Sequence, residues 1–348
     1  MKILITGGAG FIGSNLALTL QKQGHNLTII DNLSSGDLEN LKEYNGNLIK
    51  GDVSKKELFN KLKKERYDVI FHQASITETT YPDDEKMISD NVEGFKNILN
   101  FAQDCGAKLI YASSAAVYGN GRRPAKENQK LFPLNAYAVS KYKMDKIAIK
   151  KKFRNSNFDS NSNSKFRIKN LFKIKNLKRQ SRCEPKVKQS DEVVARHEVP
   201  WQSHNVIGLR YFNVYGPGEK HKGKSSSMIW QLSQKIRKGE PLRIFKYGEQ
   251  SRDHIYVKDV VAANIRAMES DAKGIFNVGT GKLTTFNRII EILNKVLVTA
   301  AKPDYFDNPY NFYQNHTQAD ISLSSKILNW KSSFSIEDGI KDYLGLEI

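Results

Sequence analysis

The eleven residues Ile5–Asn15, "ITGGAGFIGSN", decide the fold. They join the apolar run "KILIT" (2–6) to an amphipathic run that begins at Phe11. The glycines fall as Gly8-x-Gly10-x-x-Gly13, with Gly7-x-x-Gly10-x-x-Gly13 in overlapping register. Glycine allows a tight turn and lets the backbone approach a pyrophosphate, which then rests on the N–H groups opening a helix. A bare glycine pattern says little, but a strand before it and a helix after it supply the context it needs. Asp31 closes the next apolar run, "NLTIID", 18 residues beyond Gly13, near the spacing expected of an acid on an adenosine ribose. An acid there suits the 2′-hydroxyl of NAD, and "DNLSSG" brings no arginine to meet a 2′-phosphate. Asp52 of "KGDV" is a candidate contact for the adenine, with a turn-capping role as the competing reading.

Outward from this turn, the first 150 residues alternate short β-rich runs with helix-length amphipathic ones. "GNLIKGD", "YDVIFHQ" and "AKLIYAS" read as further strands, and "KMISDNVEGFKNILNFAQDCG" reads as a long helix. Such alternation predicts right-handed βαβ units and a doubly wound parallel sheet covered on both faces, an α/β fold. Patterning resumes at "NVIGLRYFNV" (205–214) and ends in helices near "TTFNRIIEILNKVL" and "SIEDGIKDYLG", expected to complete the sheet and build a smaller C-terminal substrate lobe. The expected division is therefore a dinucleotide-binding domain over 1–152, an insertion over 153–200, and the remaining strands with the substrate lobe over 201–348.

The formal net charge of +18 would ordinarily suggest nucleic acid or an anionic membrane as partner. Residues 150–200, however, carry 15 Lys/Arg against 5 Asp/Glu, a net of +10, leaving +8 for the other 297 residues. The anomaly therefore belongs mainly to one segment, where "NSNFDSNSNS" precedes "KFRIKNLFKIKNLKRQ". That composition predicts a flexible basic insertion. The competing reading is a basic amphipathic helix carrying Ile168, Leu171, Ile174 and Leu177 on RNA or a membrane surface. It is weakened because apolar positions every three residues drift around a helix. No run of about 18 apolar residues occurs, and the N-terminus has no apolar secretory region, so a cytoplasmic location is expected. Cys105 and Cys183 have neither disulfide-framework nor metal-ligand spacing, and no metal site is predicted.

A second constellation lies at the end of the fifth strand, where "YASSAAVYG" (111–119) is followed by Tyr137-x-x-x-Lys141 in "YAVSK". A gap of four puts phenol and amine on one helix face. An unperturbed tyrosine titrates near pH 10, so a tyrosine base at neutral pH needs a neighbouring cation such as Lys141. Ser114 adds a hydroxyl at the C-terminal edge of the sheet, where open α/β sheets bind substrates.

These motifs resemble the extended short-chain dehydrogenase/reductases, over nearly the whole chain except about 155–200. Within that superfamily, "GEKHKG" (218–223) after "YFNVYGP", "GIFNVGTG" (274–281) and "HTQADI" (316–321) resemble the ADP-L-glycero-D-manno-heptose 6-epimerases. The resemblance implies a nucleotide-sugar epimerase, an isomerase that oxidises and re-reduces its substrate with tightly held NAD(P), in the chemistry of lipopolysaccharide biosynthesis. It implies that Gly7, Gly10, Phe11, Ile12, Gly13, Asp31, Asn32, Gln73, Ala74, Ser75, Ile76, Thr77 and Asn91 line the dinucleotide, with Tyr137 and Lys141 beside it. Tyr137 and Lys222 become the two acid/base groups, supported by Ser114 and Lys141. Asn213, Val214, Arg252 and Tyr313 become the residues holding the nucleotide-sugar, with Arg252 suited to a bidentate grip on phosphate. A homo-oligomer is the expected assembly.

The chain also departs from that pattern. The family uses NADP and carries a lysine shortly after its "DN" pair, whereas this chain has Leu38, so NAD and NADP have one argument each. Lys224 and Gln231 stand where the family has serine and histidine beside the substrate. A UDP-hexose 4-epimerase shares every cofactor and triad residue and remains the alternative. A 4,6-dehydratase would need an acid near the strand-5 end, where this chain has Ala115 and Ala116. From another class, a non-catalytic dinucleotide-binding scaffold would have no use for Ser114, Tyr137 and Lys141.

Overall fold

The computed structural model describes residues 1–62, 65–78, 81–150, 205–307 and 314–345. The basic insertion expected at 153–200 lies outside the described residues, as does Tyr313. The described residues belong to one compact unit.

The central sheet is built from β1 (Lys2–Thr6), β2 (Asn26–Asp31), β3 (Asn47–Lys50), β4 (Val69–His72), β5 (Lys108–Ser114) and β6 (Val206–Tyr211). A further strand, β11 (Gly274–Val278), joins it after four short ones: β7 (Asn213–Tyr215), β8 (Leu242–Phe245), β9 (Ser251–Arg252) and β10 (His254–Tyr256). Its seven strands run in the order β11-β6-β5-β4-β1-β2-β3, all pairs parallel. The order reverses between β1 and β4, and the crevice beyond their C-terminal ends is where a doubly wound sheet binds its ligand.

Strand alternation divides the core. Ile3, Ile5, Ile29, Val69, Phe71 and Ile110 pack on one face with Leu16, Ala17 and Leu20 of α1 (Phe11–Lys22). On the other face, Leu4, Ile30, Ile70, Leu109 and Tyr111 pack with the helices that follow α2 (Lys56–Lys61). These are α3 (Asp84–Cys105), which supplies Phe95, Ile98 and Leu99, and α4 (Ala136–Lys150), which supplies Met144. Both faces are buried, so the strands read as continuous apolar runs rather than alternating ones. Helix α3 begins where Asp83 accepts a hydrogen bond from Lys86 N and ends at Gly106, whose φ of 70° suits a residue without Cβ.

The C-terminal lobe has its own apolar core. Ile229, Leu232 and Ile236 of α5 (Met228–Lys238) meet Ile289, Ile290 and Leu293 from the helix after α6 (Val257–Glu269), namely α7 (Phe286–Leu297). Strand β12 (Thr284–Thr285) precedes α7. Strands β13 (Pro303–Phe306) and β14 (His316–Thr317) and helices α8 (Ser322–Ile327) and α9 (Ile336–Tyr343) complete the lobe. The strand-like run "NVIGLRYFNV" does not form one continuous strand. It breaks at Phe212 into β6, in the main sheet, and β7, which pairs with β10. That break carries Asn213 and Val214 out of the main sheet.

Candidate active site

The glycine loop is shaped by contact. A Cβ on Gly13 would lie 2.1 Å from Gly7 O, and one on Gly7 would lie 2.5 Å from Ala74 N. Gly7 also has a φ of 72°. At Gly10 the nearest atom to such a Cβ is Gly7 O at 3.2 Å, so one flank of the turn stays open. Gly10 precedes α1 and no side chain caps that helix, leaving its first N–H groups for an anion. The Asp31 carboxylate accepts hydrogen bonds from Ala9 N at 2.9 Å and Leu33 N at 2.8 Å, joining the glycine loop to the end of β2. These features fit a dinucleotide.

Other expected cofactor residues fall into two groups. Phe11, Ile12 and the segment Gln73–Thr77 lie at the switch point, with Gln73 N bonded to Thr6 O at 3.0 Å. Asn91 is buried and spends its amide on the protein: Oδ1 accepts from Ile76 N at 2.8 Å, and Nδ2 donates to Ile76 O at 3.0 Å and Ser140 Oγ at 3.1 Å. It holds the segment after β4 against α4. Asn32 Oδ1 accepts from Ser34 N and Oγ at 3.0 and 2.8 Å, and Asp52 Oδ1 accepts from Ser54 N at 2.8 Å. Asp52 thus makes the turn cap of its competing reading.

Ser114, Tyr137 and Lys141 come together as the spacing predicts. The Tyr137 side chain is hydrogen-bonded to that of Ser114. Lys141 is buried, donates from Nζ to Ala112 O at 2.8 Å, and lies 5.7 Å from the centre of the Tyr137 ring. The electrostatics differ from the sequence expectation that the Lys141 charge lowers the phenol. Burial pushes Tyr137 up, with the Ser114 bond pulling the other way. Burial also pushes Lys141 down to about 7, against the pull of the Asp145 carboxylate. Asp145 lies four residues further along the same helix. It accepts from Arg210 Nε at 3.0 Å, Arg210 Nη2 at 2.9 Å and Tyr111 OH at 2.9 Å.

Lys222 sits in a short 3-10 segment, Lys220–Ser225, with its Nζ 5.6 Å from the Phe11 ring centre. The amine therefore reaches the helix that opens at the glycine loop. Burial holds its pKa below the ordinary lysine value, while Glu219 acts to raise it. Lys224 is exposed. Gln231 donates to Ser226 O at 2.8 Å and Lys224 O at 3.2 Å, so it tethers the end of this loop. Asn213 accepts from Thr317 Oγ1 at 2.8 Å, bringing "HTQADI" beside "YFNVYGP", and Val214 packs partly buried in β7. Arg252 is buried and donates from Nη1 to Ser251 O and Asn315 O, each at 2.9 Å.

The profile of the NAD dependent epimerase/dehydratase family matches residues 3–157 and 191–279. The chain belongs to that family. Among relatives of this epimerase-family chain is the ADP-L-glycero-D-manno-heptose-6-epimerase of Brachyspira hyodysenteriae, 34% identical over 98% of this chain and 96% of the relative. The solved ADP-L-glycero-D-manno-heptose-6-epimerase of Helicobacter pylori superposes with a TM-score of 0.80 at 33% identity, covering 99% of this chain and 95% of that one. The UDP-glucose 4-epimerase of Thermotoga maritima, solved with UDP-glucose, gives 0.78 at 25% identity, covering 99% and 98%. The doubly wound sheet and the family resemblance read from the sequence are thereby borne out. No helix among the described residues is long and apolar enough to cross a membrane, and no metal-ligand cluster occurs among them.

Sequence reasoning missed four buried charged residues: Glu219, the Asp145–Arg210 pair and Asp253. Asp253 accepts from Thr280 N at 2.7 Å, Gly281 N at 2.9 Å and Ala319 N at 3.0 Å, stitching the lobe together. The only available signal was a charge inside an apolar run, as in "GLRYF" and "RDHIYV".

Proposed function

We propose that this chain interconverts ADP-D-glycero- and ADP-L-glycero-D-manno-heptose at C6. The observation carrying this reading is the placement of Lys222 against Phe11, because a second amine at the dinucleotide turn supplies the extra acid/base group that inversion requires. The names of the Brachyspira and Helicobacter relatives support the choice of sugar nucleotide.

The glycine loop, Asp31 and the segment Gln73–Thr77 would hold the nicotinamide dinucleotide, which when bound supplies reversible hydride acceptance. Tyr137 takes the hydroxyl proton of the reacting carbon, and its bond to Ser114 fixes the direction of the phenol oxygen. Lys141, protonated below about pH 7, favours the phenolate that results. The sugar ketone then turns its other face to the site. With hydride returned to that face, Lys222 supplies the proton to the oxygen, and stereochemistry is inverted with no net oxidation. Asn213 and Arg252 hold the sugar nucleotide from the lobe. The dinucleotide is read as NAD, because a 2′-phosphate would face the Asp31 carboxylate and "DNLSSGDLEN" contains no basic residue.

Purified protein given ADP-D-glycero-D-manno-heptose, without added cofactor, is expected to form the L-glycero epimer and to release NAD on denaturation. Turnover of UDP-galactose with none of the heptose would replace this reading by a UDP-hexose 4-epimerase. Silence toward both would leave a dinucleotide-binding scaffold.

A further inference from the structure

Lys222 stands on an irregular loop, and an acid/base group on such a loop is useful only if the loop is held. Two sets of side chains hold this one, and neither belongs to the triad. From within, the carboxylate of Glu219 is buried at 0% exposure. It accepts from Gly216 N at 3.1 Å, from Ser227 Oγ at 2.8 Å and from Ser227 N. The Tyr343 side chain of α9 is hydrogen-bonded to the same carboxylate. Ser227 is the N-cap of α5, so this carboxylate closes residues 216–227 into a ring. Lys222 lies inside the ring, its own N–H donating to Glu219 O at 3.0 Å.

From outside, the ring is fastened to the dinucleotide turn. Asn40 Nδ2 contacts Ala9 O at 3.1 Å, Gly218 O at 3.2 Å and His221 Nδ1 at 3.1 Å. One amide thereby touches both the glycine loop and the residue next to Lys222. Asn15 adds a parallel tie, donating to Phe11 O at 2.9 Å and Pro217 O at 2.8 Å. A buried carboxylate with four donors is costly to assemble for a surface turn, and it places a negative charge three residues from the amine.

We propose that Glu219 and Asn40 are positioning residues for Lys222, Glu219 closing its loop from within and Asn40 locking that loop to the dinucleotide turn. The proposal rests on the reading of Lys222 as the second acid/base group. The charged groups involved are Glu219 and His221 on the loop, with Asp31 at the end of β2 and Asp37 in the turn after it acting on His221; α1 presents the Phe11 ring.

The two clamps act on the amine in opposite directions. Glu219 raises the Lys222 pKa, so Glu219→Gln is expected to lower it, whereas Asn40→Ala lets the loop lift into water and relieves the burial that depresses it. The test is acetylation of the full-length protein by an N-hydroxysuccinimide ester across pH, read at Lys222 by peptide mass spectrometry. The midpoint should fall by roughly one unit in Glu219→Gln and rise by roughly one unit in Asn40→Ala. Asn40→Ala should also reduce kcat about tenfold with KM nearly unchanged. Unchanged midpoints, or midpoints rising together as general loosening would produce, overturn the proposal. If Glu219→Gln fails to fold, Asn40→Ala decides alone: an unmoved midpoint or an unmoved kcat overturns it. Wild-type turnover by Lys222→Met overturns the catalytic reading instead, and the two failures are distinct.

Discussion

Tyr137 and Lys222, the two groups proposed to move protons, are held in contrasting ways. Tyr137 stands on α4, one turn from Lys141, against a strand whose end carries Ser114. Regular backbone sets their relation, and the i,i+4 rule displays it in the sequence. Lys222 stands in a short 3-10 turn between longer elements, and its position depends on side chains as remote in sequence as Asn15, Asn40 and Tyr343. A group on a helix inherits its geometry, whereas a group on a loop must be given one by tertiary contacts.

The sharpest way to separate the two sites is to remove each proton carrier. Tyr137→Phe is expected to lower turnover of the heptose substrate by about 10³ to 10⁴, since general acid–base groups contribute on that order. Its thermal midpoint should barely move, because the phenyl ring keeps its packing. The buried support under the helix site predicts a loss of stability instead. Asp145→Asn leaves Arg210 without its ionic partner at 2% exposure. A cost of about 3–5 kcal/mol in urea unfolding follows from breaking a buried pair. An unaltered urea midpoint would mean that the helix site is not braced by this pair. Lys222→Met should cost about 10² in kcat, leaving the Tyr137 half of the reaction intact. In that variant, exchange of the reacting hydrogen into the cofactor should persist at the parent rate while epimer formation slows by that factor.

Lys141 gives the smallest effect and the one with the least intuitive sign. Its folded pKa of about 7 lies below the unfolded lysine value of 10.5, so below about pH 7 the fold carries a buried charge. Between pH 7 and 10.5 the unfolded chain binds the extra proton, and stability rises with pH through that window. Lys141→Met should therefore be more stable than the parent at pH 6, by about 2 kcal/mol once the lost bond to Ala112 is subtracted. The gap should close as the pH approaches 10. A destabilised Lys141→Met at pH 6 would show that the amine supports the fold as well as the phenol.

Much of the architecture was legible because its signals are local. Strand and helix runs over residues 2–114 appear within a few residues of where their apolar patterns place them. The short helix α2 was missed because six residues carry too little periodicity to register. The break in "NVIGLRYFNV" was missed because an apolar run does not say which sheet it joins; pairing with β10 decides that. Within the site, Tyr137, Lys141, Ser114 and the glycines were found from spacing. Glu219 was not, because a glutamate in "GEKHKG" looks the same whether solvated or enclosed.

The sequence by itself determined the doubly wound class, the glycine turn with the acid that closes the second strand, and the helix face carrying phenol and amine, since each depends on backbone geometry over a few neighbouring residues. The tertiary structure decided the rest. It set the net effect on Tyr137 and Lys141, where burial outweighs the Ser114 hydrogen bond at the first and the Asp145 charge at the second. It also fixed the position of Lys222, through hydrogen bonds from elements that no local rule connects. Burial and long-range side-chain contact are properties of the folded chain, and they are what make a basic turn a candidate for chemistry.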